Sequence, residues 1–224
     1  MNHERLHSKF MSLVLLGDFN PSIIQPFWLA EKKLIREGEA NEAQDIFIQN
    51  GISRFKLDWI EFDVRFKRFE IKVTKEPYFE PARDLFVGIL KLLRETPIDA
   101  LGINYLRNFS LQSEEKLYDF GNQLAPLSLW DNFIDKPRLN DFEILERPRK
   151  DGLPGMYRIR LFPTKAPLNI QYGVTMTLND HFSTEGHQGS DKAGKVVEII
   201  SEHWEKSNQR ADDITISLLT KLGY

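Results

Sequence analysis

The chain contains no cysteine. That excludes disulfides, thiol nucleophiles, thiolate-bound zinc and iron–sulfur clusters, and it suits a reducing, cytoplasmic compartment. Long apolar runs are missing as well. The N-terminal MNHERLHSKF is polar, and MSLVLLGDF after it holds only a short apolar core. Such a segment is too short to span a bilayer and lacks a signal-peptide cleavage pattern, so no membrane partner is expected. Neither sign of charge dominates: 30 Lys and Arg face 33 Asp and Glu, a net charge of −3. The two halves share these charges evenly, so generic attraction to phosphate backbones has little support. What the chain does have is apolar bulk, with 41% hydrophobic residues, 16 Phe and 4 Trp in 224 residues. That length and composition bury a core without staples.

The first half reads as strand, helix, strands, helix. SLVLLGDF (12–19) is a continuous apolar run, the mark of a buried strand. PSIIQPFWLAEKKLI (21–35) predicts a helix with Pro26 in its first turn, followed by the polar loop EGEANEAQ. Phe55, Leu57 and Trp59 alternate, and Ile60, Phe62, Val64 and Phe66 alternate one step out of phase, which predicts a bulge at Trp59–Ile60. Phe69, Ile71 and Val73 shift phase again, which a two-residue turn at Lys67–Arg68 explains. That turn pairs Phe66 with Phe69, Val64 with Ile71 and Phe62 with Val73 inside. Outside, it pairs Arg65 with Glu70 and Asp63 with Lys72. In residues 76–96, Ala82, Leu85, Phe86, Ile89, Leu90 and Leu93 form one helical stripe, which Pro97 ends.

The order then begins again. IDALGINYLRNF (98–109) is a strand whose ALGINY echoes the earlier LLGDFN, and SEEKLYDFGNQL (113–124) opens a helix. Strands follow at 142–147, 156–162 and 170–179. One long helix closes the chain over 193–222, because Val196, Ile200, Trp204, Ala211, Ile214, Leu218 and Leu222 keep a helical period. The expected fold is α+β: a curved antiparallel sheet with helices on one face. After a flexible tail (1–11), two tandem β-α-β-β-β-α repeats (12–97 and 98–224) form a single domain with a pseudo-twofold axis. This element order resembles the TATA-binding-protein type of fold. The stretch RFEIKVTKEPYFEPARDLFVGILKLLRETPIDALGINY (68–105) is similar to a group of uncharacterised bacterial proteins of no assigned activity. Neither resemblance implies catalytic residues.

GHQGSDKAGKV (186–196) repeats the glycine spacing of a phosphate-binding loop, ending in Lys195. The hydroxyl residue that would hold Mg²⁺ is replaced by Val196, and Asp191 would repel phosphate. No cofactor is expected. Asp180, His181 and His187 are candidate metal ligands by residue type, with Glu185 beside them, but no helical spacing of four joins the histidines. His3 and His7 have that spacing but fall in the tail, and His203 is expected on the surface. Asp18 ends a buried strand and reads as a turn residue with Asn20 and Ser22. There is no Gly-x-Ser-x-Gly elbow.

Three functions remain open. The leading expectation is a non-enzymatic binding or regulatory module acting through protein–protein contacts or self-association. The second is nucleic-acid binding by the open sheet face of the second half, where Arg158 and Arg160 stand with Gln171, Thr175 and Thr177. Arg147, Arg149 and Lys150 lie in the adjoining loop. The third is a metal-dependent hydrolase. The phosphate-loop reading is the simplest to test. Lys195→Ala should leave the melting temperature unchanged, and ATP should not raise it. An occupied site at 100 times its Kd would add about 2.7 kcal/mol, so an ATP-dependent shift lost in the variant would reverse this conclusion.

Overall fold

The computed structural model describes residues 6–165, 168, 170–185 and 191–223, and the described strands form a nine-stranded antiparallel sheet. They are β1 (Leu6–Gly17), β2 (Gln44–Gln49), β3 (Ile52–Lys56), β4 (Glu61–Arg65), β5 (Arg68–Val73), β6 (Ile98–Ser110), β7 (Phe142–Glu146), β8 (Gly155–Pro163) and β9 (Gly173–Ser183). Their order is β2-β3-β4-β5-β1-β6-β9-β8-β7. Five helices join them: α1 (Pro26–Glu31), α2 (Glu37–Asn41), α3 (Phe79–Leu92), α4 (Glu114–Leu124) and α5 (Lys192–Lys221). The α+β class and the antiparallel sheet are as expected. No described helix is long and apolar enough to cross a membrane.

Period-two alternation puts one apolar side on every strand, and the register joins these sides into rows. Phe69, Leu15, Leu101 and Phe182 lie in one row; Ile71, Leu13, Ile103, Asp180 and Tyr157 lie in the next. The helices pack on this face. The Phe86 ring of α3 is 5.0 Å from Phe69, Phe120 of α4 meets Phe109 edge-on at 5.9 Å, and His203 of α5 lies 5.4 Å from Phe182. The expected α3 stripe is buried from Ala82 to Leu90, and each large side chain in it contributes about 1.5–3 kcal/mol. The last helix is unbroken through EKSNQR, as its period predicts.

The structure corrects the first half in several places. β1 begins at Leu6, so residues 6–11 are strand where a tail was expected. α1 is only six residues long, because Lys33 takes a φ of 58° just after it. The polar EGEAN folds as α2, where Glu39 accepts hydrogen bonds from the Arg36 backbone (3.0 Å) and the Trp59 indole (2.9 Å). β2 was not expected at all. Its turn is Asn50-Gly51, with φ of 53° and 75°, the dihedral signature of a tight hairpin. Trp59–Ile60 is part of a turn rather than a bulge: the Leu57 backbone donates to the Ile60 carbonyl at 2.9 Å. In the second half, β9 spans 173–183 rather than 170–179.

The β4–β5 register also differs. Val64 pairs with Phe69 and Arg65 with Arg68, so the turn is Phe66–Lys67 rather than Lys67–Arg68. Phe66 leaves the core to cover Gly51, where a Cβ would sit 2.1 Å from its ring. Its carbonyl accepts from the Phe19 backbone at 2.8 Å, and Lys67 is ion-paired with Asp18. Each partner moves by two residues, so the inward set is kept while the outward pairs change. Asp63 now faces Glu70. The like charges are offset along and across the strands, by Arg65 (2.8 Å) and Arg54 (3.0 Å) on Asp63 and Arg68 (2.7 Å) on Glu70. The Arg65 hydrogen bond, with Arg54 beside it, holds the Asp63 carboxyl below its usual range against the effect of burial.

Val64 is fully buried and Asp63 is paired at the surface. Val64→Asp should therefore cost several kcal/mol, on the order of the penalty for an unpaired buried charge. Asp63→Asn should cost about 1 kcal/mol or less. Urea midpoints of the two variants check which face of β4 is buried, and equal small losses would contradict it.

Candidate functional site

The expected basic residues divide between environments. Arg158 and Arg160 face the open side of β8, opposite Asn179 and Thr177. Each has a carboxylate beside it: Arg160 Nε donates to both oxygens of Asp141 (2.7 and 3.0 Å), and Arg158 lies 3.7 Å from Glu143. Arg147 and Lys150 are exposed in the β7–β8 loop. Arg149 turns inward and is only 4% exposed. Gln171 precedes β9 rather than lying in it.

The metal candidates are not brought together. Asp180 and His181 are consecutive in β9 and so point to opposite faces. Asp180 is buried against Arg149. Burial, then Arg158, Arg149 and Arg147, pushes the His181 imidazole down, and those three guanidinium groups oppose a metal cation equally. His187 and His3 lie outside the described residues. Among the described residues, no three His, Asp or Glu side chains are placed to hold a metal.

Gly186–Ser190 are also outside them. The rest of the glycine segment starts α5: Asp191 accepts from the Gly194 backbone (2.7 Å) and from Arg94 (3.0 Å), while Lys195 pairs with Glu198 (2.9 Å). This helix N-terminus already holds a carboxylate. Asp18 lines a cleft of about 530 Å³ and is tied to Lys67. His203 is half-buried on Phe182 rather than at the surface.

Ionisable groups do gather under α5, where sequence periodicity gave no warning. Arg149 donates to Asp180, to Asp151 (2.5 and 3.0 Å) and to the His181 carbonyl (3.3 Å), with its guanidinium 4.1 Å from the Phe182 ring. Arg107 is 0% exposed and donates to Asp212 at 2.8 Å; Arg210 donates to Glu146 at 2.6 Å and lies over Tyr157 at 3.7 Å. Burial pushes the Tyr105 and Tyr157 phenols up, so both stay protonated. Ser207 faces Tyr105, yet neither hydroxyl closes a hydrogen bond of ordinary geometry. Every charged group here is bound by an opposite charge or covered by a ring. The layer orients α5 and presents no open reaction centre.

An open surface lies elsewhere, at the β7 end of the sheet. A cavity of about 770 Å³ opens between α4, residues 131–139 and the ends of β8 and β9. Phe120, Pro137, Leu161 and Val174 form its buried floor, while Glu115, Asp131 and Asp135 are exposed around it. Ser113 starts α4 by accepting from the Lys116 backbone at 3.1 Å. Gly121 permits the loop to close on the helix, since a Cβ there would lie 2.9 Å from Leu139 Cβ. Arg138 is ion-paired with Glu114 and holds the same loop to α4. Between the helix and the loop, Leu127 is buried, but Leu129 (69%), Trp130 (52%), Phe133 (81%) and Ile134 (52%) are exposed.

The chain then enters β7, an edge strand with β8 as its hydrogen-bonded neighbour and with Ile144 and Leu145 exposed. Ile144 and Leu145 are consecutive and so point to opposite faces of this edge, and exposed large apolar side chains gathered at one end of a sheet suit an interaction site. PLSLWDNFID falls between the expected elements 113–124 and 142–147, and its apolar residues keep neither a strand nor a helix period. That aperiodicity was the available signal.

The chain matches no family model and no curated protein.

The buried Arg149–Asp180 pair yields a stability test. Asp180→Asn removes the buried partner of Arg149 while Asp151 still holds it, and should cost about 1.5–3 kcal/mol, read from urea midpoints. Hydrogen bonds from Arg149 hold the Asp151 carboxyl below its usual range. Its contribution is therefore present above the unfolded value of about 3.9 and lost as pH falls through the lower folded value. The wild-type midpoint should drop more steeply below that pH than the midpoint of Asp151→Asn.

Proposed function

We propose that the protein is a non-catalytic binding module that works through protein–protein contacts, receiving an extended segment of a partner along β7. One observation carries the reading: the exposed run Leu129, Trp130, Phe133 and Ile134 comes shortly before an edge strand that exposes Ile144 and Leu145. An edge strand offers unpaired N–H and C=O groups to a further strand. In strand addition those groups supply affinity, and neighbouring pockets supply side-chain selectivity. The pairing of Arg158 and Arg160 with carboxylates and the burial of Arg149 weigh against phosphate contact by this face.

We also read the chain as a tandem duplication of the TATA-binding-protein type, related by a pseudo-twofold axis at the β1–β6 pair. The support is the strand order: β5, β4 and β3 lead outward from β1 as β9, β8 and β7 lead outward from β6. β2 has no counterpart in this scheme. The absence of cysteine supports a cytoplasmic setting.

Short random peptides displayed and selected against the full chain should yield binders. Leu145→Lys and Phe133→Ser should each weaken them about tenfold, the equivalent of 1.4 kcal/mol, while moving stability by no more than about 0.5 kcal/mol. A selection without binders, or binders indifferent to both substitutions, would overturn the proposal.

A further inference from the structure

We infer that the cavity beside β7 receives an apolar anchor side chain from a partner segment whose flanking residues are Lys and Arg. This rests on the binding-module reading and names the chemistry of its partner. The cavity has the size of a recognition pocket, about 770 Å³ against a usual range of about 300–1,000 Å³. Its floor is hydrocarbon: Phe120, Leu161 and Val174 are almost wholly buried and offer no side-chain polar atom. An occupant must therefore bring an apolar group. The position also fits a β7 occupant, because Phe142 at the start of β7 pairs with Leu161 on the cavity floor.

Charge selects the flanks. Residues 113–146 hold eight acidic and three basic side chains, a net of −5 against −3 for the whole chain; Arg160, Arg158 and Arg210 from outside the stretch stand beside Asp141, Glu143 and Glu146, which leaves a net of −2. The acidic surplus lies at the cavity itself, where Glu114, Glu115, Asp131 and Asp135 outnumber Lys136 and Arg138. Arg138 is already tied to Glu114. Glu115, Asp131 and Asp135 are exposed at the cavity. An acidic segment would meet like charge there, and a neutral one would gain nothing from the field. A segment with Lys or Arg on either side of its anchor is attracted before contact and held afterwards.

The test compares two synthetic peptides that share one selected apolar core, one flanked by Lys and the other by Glu. The Lys-flanked peptide should bind at least about tenfold more tightly, and added salt should narrow the gap. Its binding should shift the methyl resonances of Leu161 and Val174. The triple variant Glu115→Lys/Asp131→Lys/Asp135→Lys changes exposed residues only. It should reverse the preference while the protein stays folded by circular dichroism. Equal binding of both peptides, a preference unchanged in the triple variant, or binding that leaves both floor methyls unshifted would each overturn this inference. Those results would leave the β7 reading standing so long as Leu145→Lys still weakens both peptides. Loss of that sensitivity would remove the β7 reading itself.

Discussion

The β1–β6 ladder is the contact on which the rest of the structure depends. It runs from Leu6 paired with Phe109 to Gly17 paired with Ile98, and it is the strand pairing that joins residues before and after Pro97. From it β5, β4, β3 and β2 lead outward on one side, and β9, β8 and β7 on the other. Its inner face is a row of apolar pairs, Met11 with Tyr105, Leu13 with Ile103 and Leu15 with Leu101. Its outer face is sewn by small polar side chains. Asn104 donates to Ser12 Oγ at 3.2 Å, Asn179 donates to Asn104, Asn108 donates to Ser8 at 3.0 Å, and Thr175 donates to Asn108 at 2.7 Å. These groups satisfy one another on the sheet, so the outer face is a hydrogen-bonded network rather than a second apolar core.

The helical cover is built in two ways. α3 lies on rings and branched chains, and its contact with Phe69 is non-directional burial. The first half of α5 is similar, with Ala193, Val196, Ile199, Ile200 and Trp204 buried. Its second half lies over Arg107, Tyr105 and Tyr157 and is held by Asp212 and Arg210. Buried ion pairs repay little net stability, because desolvation consumes most of the attraction. They do make misplacement costly: a shift of one turn would leave the fully buried Arg107 without Asp212. The polar layer thus sets where α5 sits, while the apolar layers supply most of the driving force.

Much of this was legible in the sequence, and the failures share a cause. Periodic elements were read correctly: α3 from its stripe, α5 as one helix, β6 and β8 nearly to the residue. Short elements were not. β2 has alternate side chains exposed on both faces, so no two-residue period reveals it; only Asn50-Gly51 does, through turn chemistry. The β4–β5 register slipped because Phe66 counts as a core residue by type, yet its ring covers Gly51 outside the main core. Pairing across a hairpin depends on the turn, and here the turn was fixed by contacts with Phe19 and Asp18, far away in sequence. The site residues fared worst for a related reason. Asp180 and His181 are consecutive yet point to opposite faces, and Arg149 reaches Asp180 from a loop 31 residues away, a meeting that depends on strand registers that composition does not encode.

The two sheet edges show how electrostatics separates surfaces of similar shape. β2 and β7 are both short, exposed and apolar at their centres, through Ile46 and Phe47 in one and Ile144 and Leu145 in the other. Such edges are templates for pairing with any extended chain, a second copy included. Two β7 strands paired antiparallel about Ile144 would set Glu143 opposite Leu145 and place the Glu143 side chains of the two copies diagonally on one face. Diagonal neighbours lie about 7–8 Å apart, close to a Debye length of about 8 Å at physiological salt, so salt screens that repulsion only in part. The carboxylates of both edge strands have cationic neighbours, Asp45 with Lys56 at 2.8 Å on β2, and Glu146 with Arg210 at 2.6 Å and Glu143 with Arg158 at 3.7 Å on β7; what sets the β7 end apart is Glu115, Asp131 and Asp135 beside it. Self-pairing of β7 would bring two such acidic flanks together, which β2 does not carry. The same acidic surplus that keeps β7 from its own copy makes a basic segment its complementary partner.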